Sequence, residues 1–342
     1  MDPVEALNEI AYWLERDLQS PYKTKAFRAA ARVAAGMPDL EKRVTDGTLK
    51  GTKGIGDSTL AVITQAVEGR VPDRLAEVRA RLDKPIATSG LRAKLKGDLH
   101  AHSDWSDGTT PIDVMVSTAR WLGHEYLALT DHSPHLTVAN GLTAERLGEQ
   151  LEIVEGFNRG GAGSAGGTGS DSSFRLLGGI EVDILDDGSL DQSENMLAQL
   201  DIVVASVHSK LRMPSSEMTE RMLGAIRHPQ TNVLGHCTGR LVEGSRGTRP
   251  QSQFDARAVF AACAEHDVAV ELNSRPERQD PPDDLVQLAL DAGCLFSIDS
   301  DAHAPGQLGL IDLGAARAEA AGIPADRIVT TWALDKLLDW AN

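Results

Sequence analysis

The sequence predicts an α/β protein in which a βα barrel follows a small all-α domain. Three observations carry that prediction. Seven short β-type apolar runs recur from Leu99 to Ile298, each ending within a few residues of a polar cluster. Before residue 71 only helical periodicity occurs. The 342 residues suffice for one barrel of about 200–250 residues plus a small extra domain.

Residues 1–70 read as that helical domain. Val4, Leu7, Ile10, Ala11, Leu14 and Leu18 recur at i, i+3, i+4 spacing, and Ser20-Pro21 closes the pattern. A second amphipathic stretch covers Lys23 to Ala35 and ends at Gly36; a third follows Pro38 and is broken by Gly47. Thr52-Lys53-Gly54-Ile55-Gly56-Asp57-Ser58-Thr59-Leu60 then opens a helix running through Ile63, Ala66 and Val67. Glycine at 54 and 56 lets the backbone approach a ligand, and the following helix offers unpaired N–H groups to a phosphate. A tight loop between two packed helices uses the same residues equally well.

Residues 71–96 read as a charged, largely helical linker with a turn near Ser89-Gly90, and residues 97–342 as the barrel. The first strand end is Leu99-His100-Ala101-His102-Ser103, followed by Ser106-Asp107-Gly108. The next are Ala128-Leu129-Thr130-Asp131-His132, Gly179-Ile180-Glu181-Val182-Asp183, Val204-Ala205-Ser206-Val207-His208 and Val233-Leu234-Gly235-His236. Val270-Glu271-Leu272-Asn273 leads into Arg275 and Arg278, and Phe296-Ser297-Ile298-Asp299 into Ser300-Asp301-Ala302-His303. Arg159 to Ser173, rich in Gly, Ser and Ala, reads as a flexible surface loop without the spacing of a phosphate-binding loop.

In a βα barrel the loops after the strands share one face and build the site. His100 and His102 fall on one side of their strand because side chains alternate with period two. Asp301 and His303 repeat that spacing. A single strand-end histidine has an ordinary structural explanation. Six ends carrying nitrogen and oxygen donors point instead to several metal ions. His124, His228 and His266 match no motif and read as structural, and His135 as a solvent-facing loop residue.

The hydrophobic fraction of 41% supports a real core. No run approaches the roughly 18–20 apolar residues that cross a bilayer, and Met1-Asp2-Pro3-Val4-Glu5 does not open a signal peptide. Three cysteines without CxxC spacing argue against a disulfide framework or zinc ribbon and fit a cytoplasmic protein. Cys237, beside His236, reads as a packed apolar residue. The net charge of −16 divides into +4 over residues 1–97 and −20 over the rest. The acidic part is a poor non-specific nucleic-acid binder on its own.

Residues 5–70 resemble the helix-hairpin-helix DNA-binding domain of bacterial X-family DNA polymerases. The likeness rests on Pro21-Tyr22-Lys23-Thr24-Lys25-Ala26-Phe27-Arg28-Ala29-Ala30-Ala31 and on Leu49-Lys50-Gly51-Thr52-Lys53-Gly54-Ile55-Gly56. Thr52-Lys53 departs from the Leu-Pro usual in that family. The resemblance implies DNA as a partner, held by Lys23, Lys25, Lys53, Gly54, Gly56, Ser58 and Thr59.

Residues 96–340 resemble the polymerase and histidinol phosphatase (PHP) family of trinuclear metal phosphoesterases, in the version fused to those polymerases. Thr130-Asp131-His132-Ser133, Val138-Ala139-Asn140-Gly141-Leu142, Gly239-Arg240 and Ser300-Asp301-Ala302-His303 carry the likeness. It implies a distorted (β/α)7 barrel and three divalent ions, Zn²⁺, Mn²⁺ or Fe²⁺. His100, His102, Glu181 and Asp301 would bind the first, Glu181 bridging to a second completed by His208 and His236. Asp107, His132 and His303 would hold the third. Three ions against three carboxylates leave about +3 at the site, enough to attract a phosphate ester. Arg278, Arg240 and Lys210 are candidate clamps for its oxygens, and Asp183, Glu271 and Asp299 candidate partners of the histidines.

The 26 residues between the two domains cannot hold a nucleotidyl-transfer domain, which excludes polymerase activity. A 3′–5′ exonuclease or 3′-phosphatase acting on DNA ends is the leading reading. A small-molecule phosphomonoesterase such as a histidinol-phosphate phosphatase is the alternative. A non-catalytic DNA-binding protein with structural metals is the third. No obligate protein partner is implied.

Overall fold

The computed structural model describes residues 1–159, 174–244 and 247–342. The Gly-rich stretch, beyond Arg159, lies outside the described residues. No helix among the described residues is long and apolar enough to cross a membrane. The chain forms two compact units, Met1–Pro85 with Pro305–Gln307, and Ile86–Ala304 with Leu308–Asn342.

The first unit contains α1 (Pro3–Arg16), α2 (Pro21–Ala35), α3 (Leu40–Thr45), α4 (Asp57–Val67) and α5 (Asp73–Leu82). Asp2 starts α1 by accepting a hydrogen bond from the Glu5 N–H at 2.8 Å. The apolar stripe foreseen on α1 is its buried face, with Ala6, Leu7 and Ile10 wholly inaccessible. It packs on α2, α4 and α5. Arg28 of α2 grips the buried carboxylate of Glu15 with two hydrogen bonds, at 2.9 and 2.7 Å. Arg79 of α5 grips Glu9 in the same way, at 2.6 Å for both bonds. The stretch read as a linker therefore divides: α5 buries Leu75 and Val78 in the first unit, and residues 86–96 belong to the second.

All seven apolar runs are strands of the second unit: β1 (Gly97–Ala101), β2 (Tyr126–Leu129), β3 (Arg175–Asp183), β4 (Ile202–Ser206), β5 (Val233–Leu234), β6 (Ala269–Asn273) and β7 (Phe296–Asp299). They pair in sequence order, every pair parallel. The helices between and after them are α6 (Ile112–Trp121), α7 (Ala144–Arg159), α8 (Glu194–Leu197), α9 (Ser215–Ile226), α10 (Ala256–Glu265), α11 (Asp283–Asp291), α12 (Ile311–Ala320) and α13 (Leu334–Ala341).

Strand alternation sorts the side chains. Ile180, Val182, Val203 and Ala205 share a core with Met218 and Met222 of α9 and Phe260 of α10. The opposite phase gives Ala128, Leu177, Val204, Val233 and Ala269, which cluster with Leu337 of α13. Glu181 is paired with Val204 in register and so lies in this second phase. The barrel shuts where β1 meets β7, through the single bridge Ala101–Ala302 and the His102 N–H to Ala302 carbonyl bond of 2.8 Å. Two carboxylates complete the seam: Asp299 accepts from the Leu99 N–H at 2.8 Å, and Asp98 from the Ser300 N–H at 3.2 Å.

The three cysteines are buried free thiols. His228 pairs with Glu194 at 3.1 Å, and His266 is exposed. His124 is 5% exposed, and neither ring nitrogen has a hydrogen-bond partner. Burial, then the nearby Arg92 charge, pushes its pKa down to about 3. An unfolded histidine protonates near pH 6.5, so between those values the unfolded chain holds the extra proton. Stability contributed by the neutral ring is complete above about pH 6.5 and falls on acidification, by about 1.4 kcal/mol per pH unit. His124→Leu should shrink the loss of unfolding free energy between pH 7 and 5, read by urea denaturation. Equal losses in both proteins would place that acid sensitivity elsewhere.

Candidate metal centre

Parallel strands deliver the nine predicted donors to one face. His100 and His102 come from β1 and its end, Asp107 from the following turn, and His132 from the loop after β2. Glu181 is on β3; His208 and His236 follow β4 and β5; Asp301 and His303 follow β7. Glu181 is at their centre. Its Oε1 lies 3.2 Å from His208 Nε2 and 2.9 Å from His236 Nε2. Its Oε2 lies 3.3 Å from His100 Nε2, 3.6 Å from His102 Nε2 and 2.9 Å from His132 Nδ1. Asp301 Oδ1 is 3.6 Å from His102 Nε2. Asp107 Oδ1 is 3.6 Å from His132 Nε2 and 3.3 Å from His303 Nε2.

Donor atoms converge in three groups: His100, His102 and Asp301; His132, Glu181 and His208; and His102, Asp107, His132 and His303. His236 reaches the second through Glu181 Oε1, and His102 and His132 each belong to two groups. The chemistry fits cations. His100 Nε2, both ring nitrogens of His102 and of His236, His132 Nδ1 and Glu181 Oε1 are buried without a hydrogen-bond partner. An unsatisfied buried polar atom costs about 1–3 kcal/mol; divalent ions satisfy several at once, and imidazole with carboxylate suits Zn²⁺, Mn²⁺ or Fe²⁺.

The electrostatics bind the rings to the carboxylates: at His100 and His208 burial opposes a charge, but the facing carboxylates, Glu181 foremost, outweigh it and raise His100 well above its ordinary value and His208 to about 9. Burial opposes ionisation of Glu181, but the imidazoles, His100 foremost, outweigh it and hold its carboxyl well below the usual range. Burial likewise opposes a charge on Asp301, but Arg278 together with His102, His100 and Arg275 outweighs it and holds the carboxyl well below the usual range. Burial and then His303 push His102 down to about 3, which keeps that ring in its ligating neutral form.

Two of the three expected supporting carboxylates hold histidines. Glu271 Oε1 accepts from His100 Nδ1 at 2.6 Å, and Oε2 from the His236 N–H at 2.5 Å. Asp183 pairs with His208 Nδ1. Asp299 does not reach a histidine; it is occupied by Leu99 N–H and by Ser297 Oγ at 2.5 Å. His135 is exposed, its N–H bonded to Asp191 at 2.6 Å.

A cavity of about 290 Å³ opens over the centre, bordered by Arg249, Arg275 and Arg278 and by the apolar Leu136, Val138 and Val207. Arg278 Nε donates to Asp301 Oδ2 at 3.1 Å. Arg275 Nη1 donates to the Asp301 carbonyl at 3.0 Å. The other two expected clamps have different partners. Arg240 donates to the backbone carbonyls of Arg278, at 3.0 Å, and Gln279, and so braces the segment carrying Arg278. Lys210 pairs with Asp186 at the surface. Sequence reasoning missed Arg249, which sits in no motif and lies far from any strand end.

In the first unit, Lys23, Gly54, Gly56, Ser58 and Thr59 line one groove with Phe27 and Arg74. Lys25 and Lys53 are exposed outside its lining. Gly54 needs its residue type, with φ +91°. Gly56 is extended at φ −97° and has nothing within 4 Å of where a Cβ would sit. Thr59 is buried, and its hydroxyl bonds the Gly56 N–H at 2.9 Å and its carbonyl at 3.0 Å. It caps α4 from the edge of the groove.

A barrel whose strand ends gather imidazoles and carboxylates around one shared glutamate is built to hold divalent cations. The model of the PHP domain family matches residues 98–275, just over half of the chain, and the chain belongs to that family. Among curated proteins it is 37% identical over 210 residues to the DNA polymerase/3′-5′ exonuclease PolX of Bacillus subtilis (strain 168), a match covering 61% of this chain and 34% of PolX. The chain therefore spans about a third of that relative. It is 26% identical over 253 residues to a probable phosphatase of Thermoanaerobacter sp. (strain X514), covering 70% of this chain and 91% of that one. The histidinol phosphate phosphatase of Lactococcus lactis subsp. lactis Il1403, solved with zinc, L-histidinol and phosphate, superposes with a TM-score of 0.47 at 16% identity, over 67% of this chain and 94% of that one.

Metal stripped with chelator and then restored should raise the thermal stability of the second unit. Saturation at 100 times Kd corresponds to about 2.7 kcal/mol, and an unchanged melting curve would count against the centre. Glu271→Gln should weaken binding by about 10–100-fold in a competition titration with a chromophoric chelator, because it loosens both His100 and His236.

Proposed function

We propose that this chain is a trinuclear-metal phosphoesterase acting at DNA ends, as a 3′–5′ exonuclease or 3′-phosphatase, with its first unit a DNA-binding module. The observation that carries this reading is the shared carboxylate of Glu181 among nine donors, beneath a cavity bordered by three arginines. Nine donors exceed the four that satisfy a structural zinc, which argues against a purely structural role. The DNA assignment draws support from the likeness to PolX, a DNA polymerase/3′-5′ exonuclease, and from the Lys23–Arg74 groove of the first unit. Names of probable phosphatase in relatives matched over nearly their full length favour the second reading, a small-molecule phosphomonoesterase.

His100, His102, Glu181 and Asp301 would hold the first ion, Glu181, His208 and His236 the second, and Asp107, His132 and His303 the third. When bound, such ions activate water near neutral pH and neutralise charge that develops on the phosphoryl oxygens. The chain orients the rest. Glu271 fixes the tautomer of His100 by accepting its Nδ1 proton, leaving Nε2 as the ligating atom; Asp183 does this for His208. Arg278, anchored through Nε on Asp301, would turn its other N–H groups to the phosphate, a planar donor set matched to two oxygens. Arg275 and Arg249 would attract the remaining anionic part of the substrate.

Turnover of 3′-labelled single- and double-stranded DNA should require added Mn²⁺ or Zn²⁺ and stop with chelator. His100→Ala and Asp301→Ala should fall to background while DNA affinity persists. Hydrolysis of histidinol phosphate alone, with DNA intact, would replace the first reading by the second. Charge reversal in the groove, Lys23→Glu with Arg74→Glu, should raise the Kd for DNA by about tenfold or more and leave small aryl phosphate turnover unchanged. Unchanged DNA affinity would remove the first unit from substrate binding.

A further inference from the structure

We infer that Asp131 is the positioning residue that builds the third ion site, and that this site is the exchangeable one of the three. The inference rests on the three-ion reading above. Asp131 is 1% exposed and precedes His132 in the chain. Its carboxylate accepts from the Ser103 N–H at 2.8 Å and hydroxyl at 2.6 Å, from the Ser106 N–H at 3.3 Å and hydroxyl at 2.5 Å, and from Gln150 Nε2 of α7 at 2.7 Å. Five donors on one carboxylate fasten both sides of the turn that begins at Ser103.

That turn presents Asp107. It is closed by the Gly108 N–H on the Ser103 carbonyl and the Asp104 N–H on the Thr110 carbonyl, both at 2.9 Å. A Cβ on Gly108 would lie 2.5 Å from the Ser103 oxygen, so only glycine fits. The Thr109 N–H reaches the His303 carbonyl at 2.8 Å, so the segments supplying Asp107 and His303 brace each other. Asp131 thus secures the piece of backbone on which the third site depends.

Exposure separates the sites. The side chains of His100, His102, Glu181, His236 and Asp301 are 0–2% exposed and His208 is 13% exposed, whereas Asp107 is 37% exposed and His303 22%. The first two groups draw on donors at or just beyond strands, locked in the barrel. The third relies on a carboxylate carried by a turn and open to water, whose charge is better solvated without an ion. An ion there exchanges most readily and is the first lost when the turn loosens.

The test is metal stoichiometry, by elemental analysis and competition titration with Mn²⁺ and Zn²⁺ on the full chain. Wild type should hold three equivalents, one released first on stepwise chelation. Asp131→Asn and Ser106→Ala should keep two equivalents at wild-type affinity and bind the third about 10–100-fold more weakly, with circular dichroism unchanged. Folded variants that hold three equivalents as tightly as wild type, or lose all three in parallel, would overturn the inference. Should Asp131→Asn fail to fold, Ser106→Ala and Gln150→Ala, each removing donors to the same carboxylate, decide the matter. A wild-type protein holding fewer than three equivalents would overturn the three-ion reading itself, and this inference with it.

Discussion

A carboxylate buried among five imidazoles is the constraint around which the second unit is arranged. Glu181 is 1% exposed, and an isolated charge at such a site is prohibitively costly. It is admitted because His100, His102, His132, His208 and His236 all come within 3.6 Å of its two oxygens. These residues come from four other strand ends, so the glutamate is placed correctly only when those strands are in register. The barrel and the centre are thus one cooperative object, and the outer carboxylates Glu271 and Asp183 extend it by fixing which nitrogen each ring turns inward.

The same dependence explains the seam. β1 and β7 together supply His100, His102, Asp301 and His303, yet backbone pairing between them is reduced to the Ala101–Ala302 bridge. Asp98 and Asp299 take over by accepting main-chain N–H groups of the opposite strand. Burial raises the pKa of Asp98 to about 6, and burial followed by the neighbouring Asp98 raises that of Asp299. The two carboxylates are costly side by side, and they stand where the centre needs two strand ends joined.

Much of this was legible because it follows from periodicity. Two-residue alternation placed His100 with His102, and every apolar run proved to be a strand; Asp301 and His303 lie past the end of β7, Asp301 at φ +50°, and their donors turn to different groups. The clamps were less legible, since an arginine's partner is set by tertiary approach and not by spacing. Arg240 is consumed by backbone carbonyls, Lys210 by Asp186, and Arg249 reaches the cavity from a long connection. Asp299 was misread for a related reason. It was a candidate partner of the histidines, but a side chain two residues before Asp301 meets the seam instead. In the first unit the helix pattern was plain, whereas the role of Thr59 as a cap depended on its hydroxyl folding back on Gly56.

Net charge misleads in a chain of this kind. The second part of the sequence carries −20, which taken as a whole would repel a phosphate ester. Screening confines the influence of exposed carboxylates to about 8–10 Å at ordinary ionic strength, so the charges that matter are those bordering the cavity. There Arg275 and Arg278 are fixed on Asp301, and Arg249 is fixed on the Gly239 carbonyl at 2.6 Å. The carboxylates beneath them are turned toward imidazole. An anion at the mouth meets three guanidinium groups, with Asp107, among the described residues, the one carboxylate that stands beside them in the open, turned toward His132 and His303. A strongly acidic domain can therefore present a locally cationic entrance, provided its acids are either dispersed in solvent or committed to the centre.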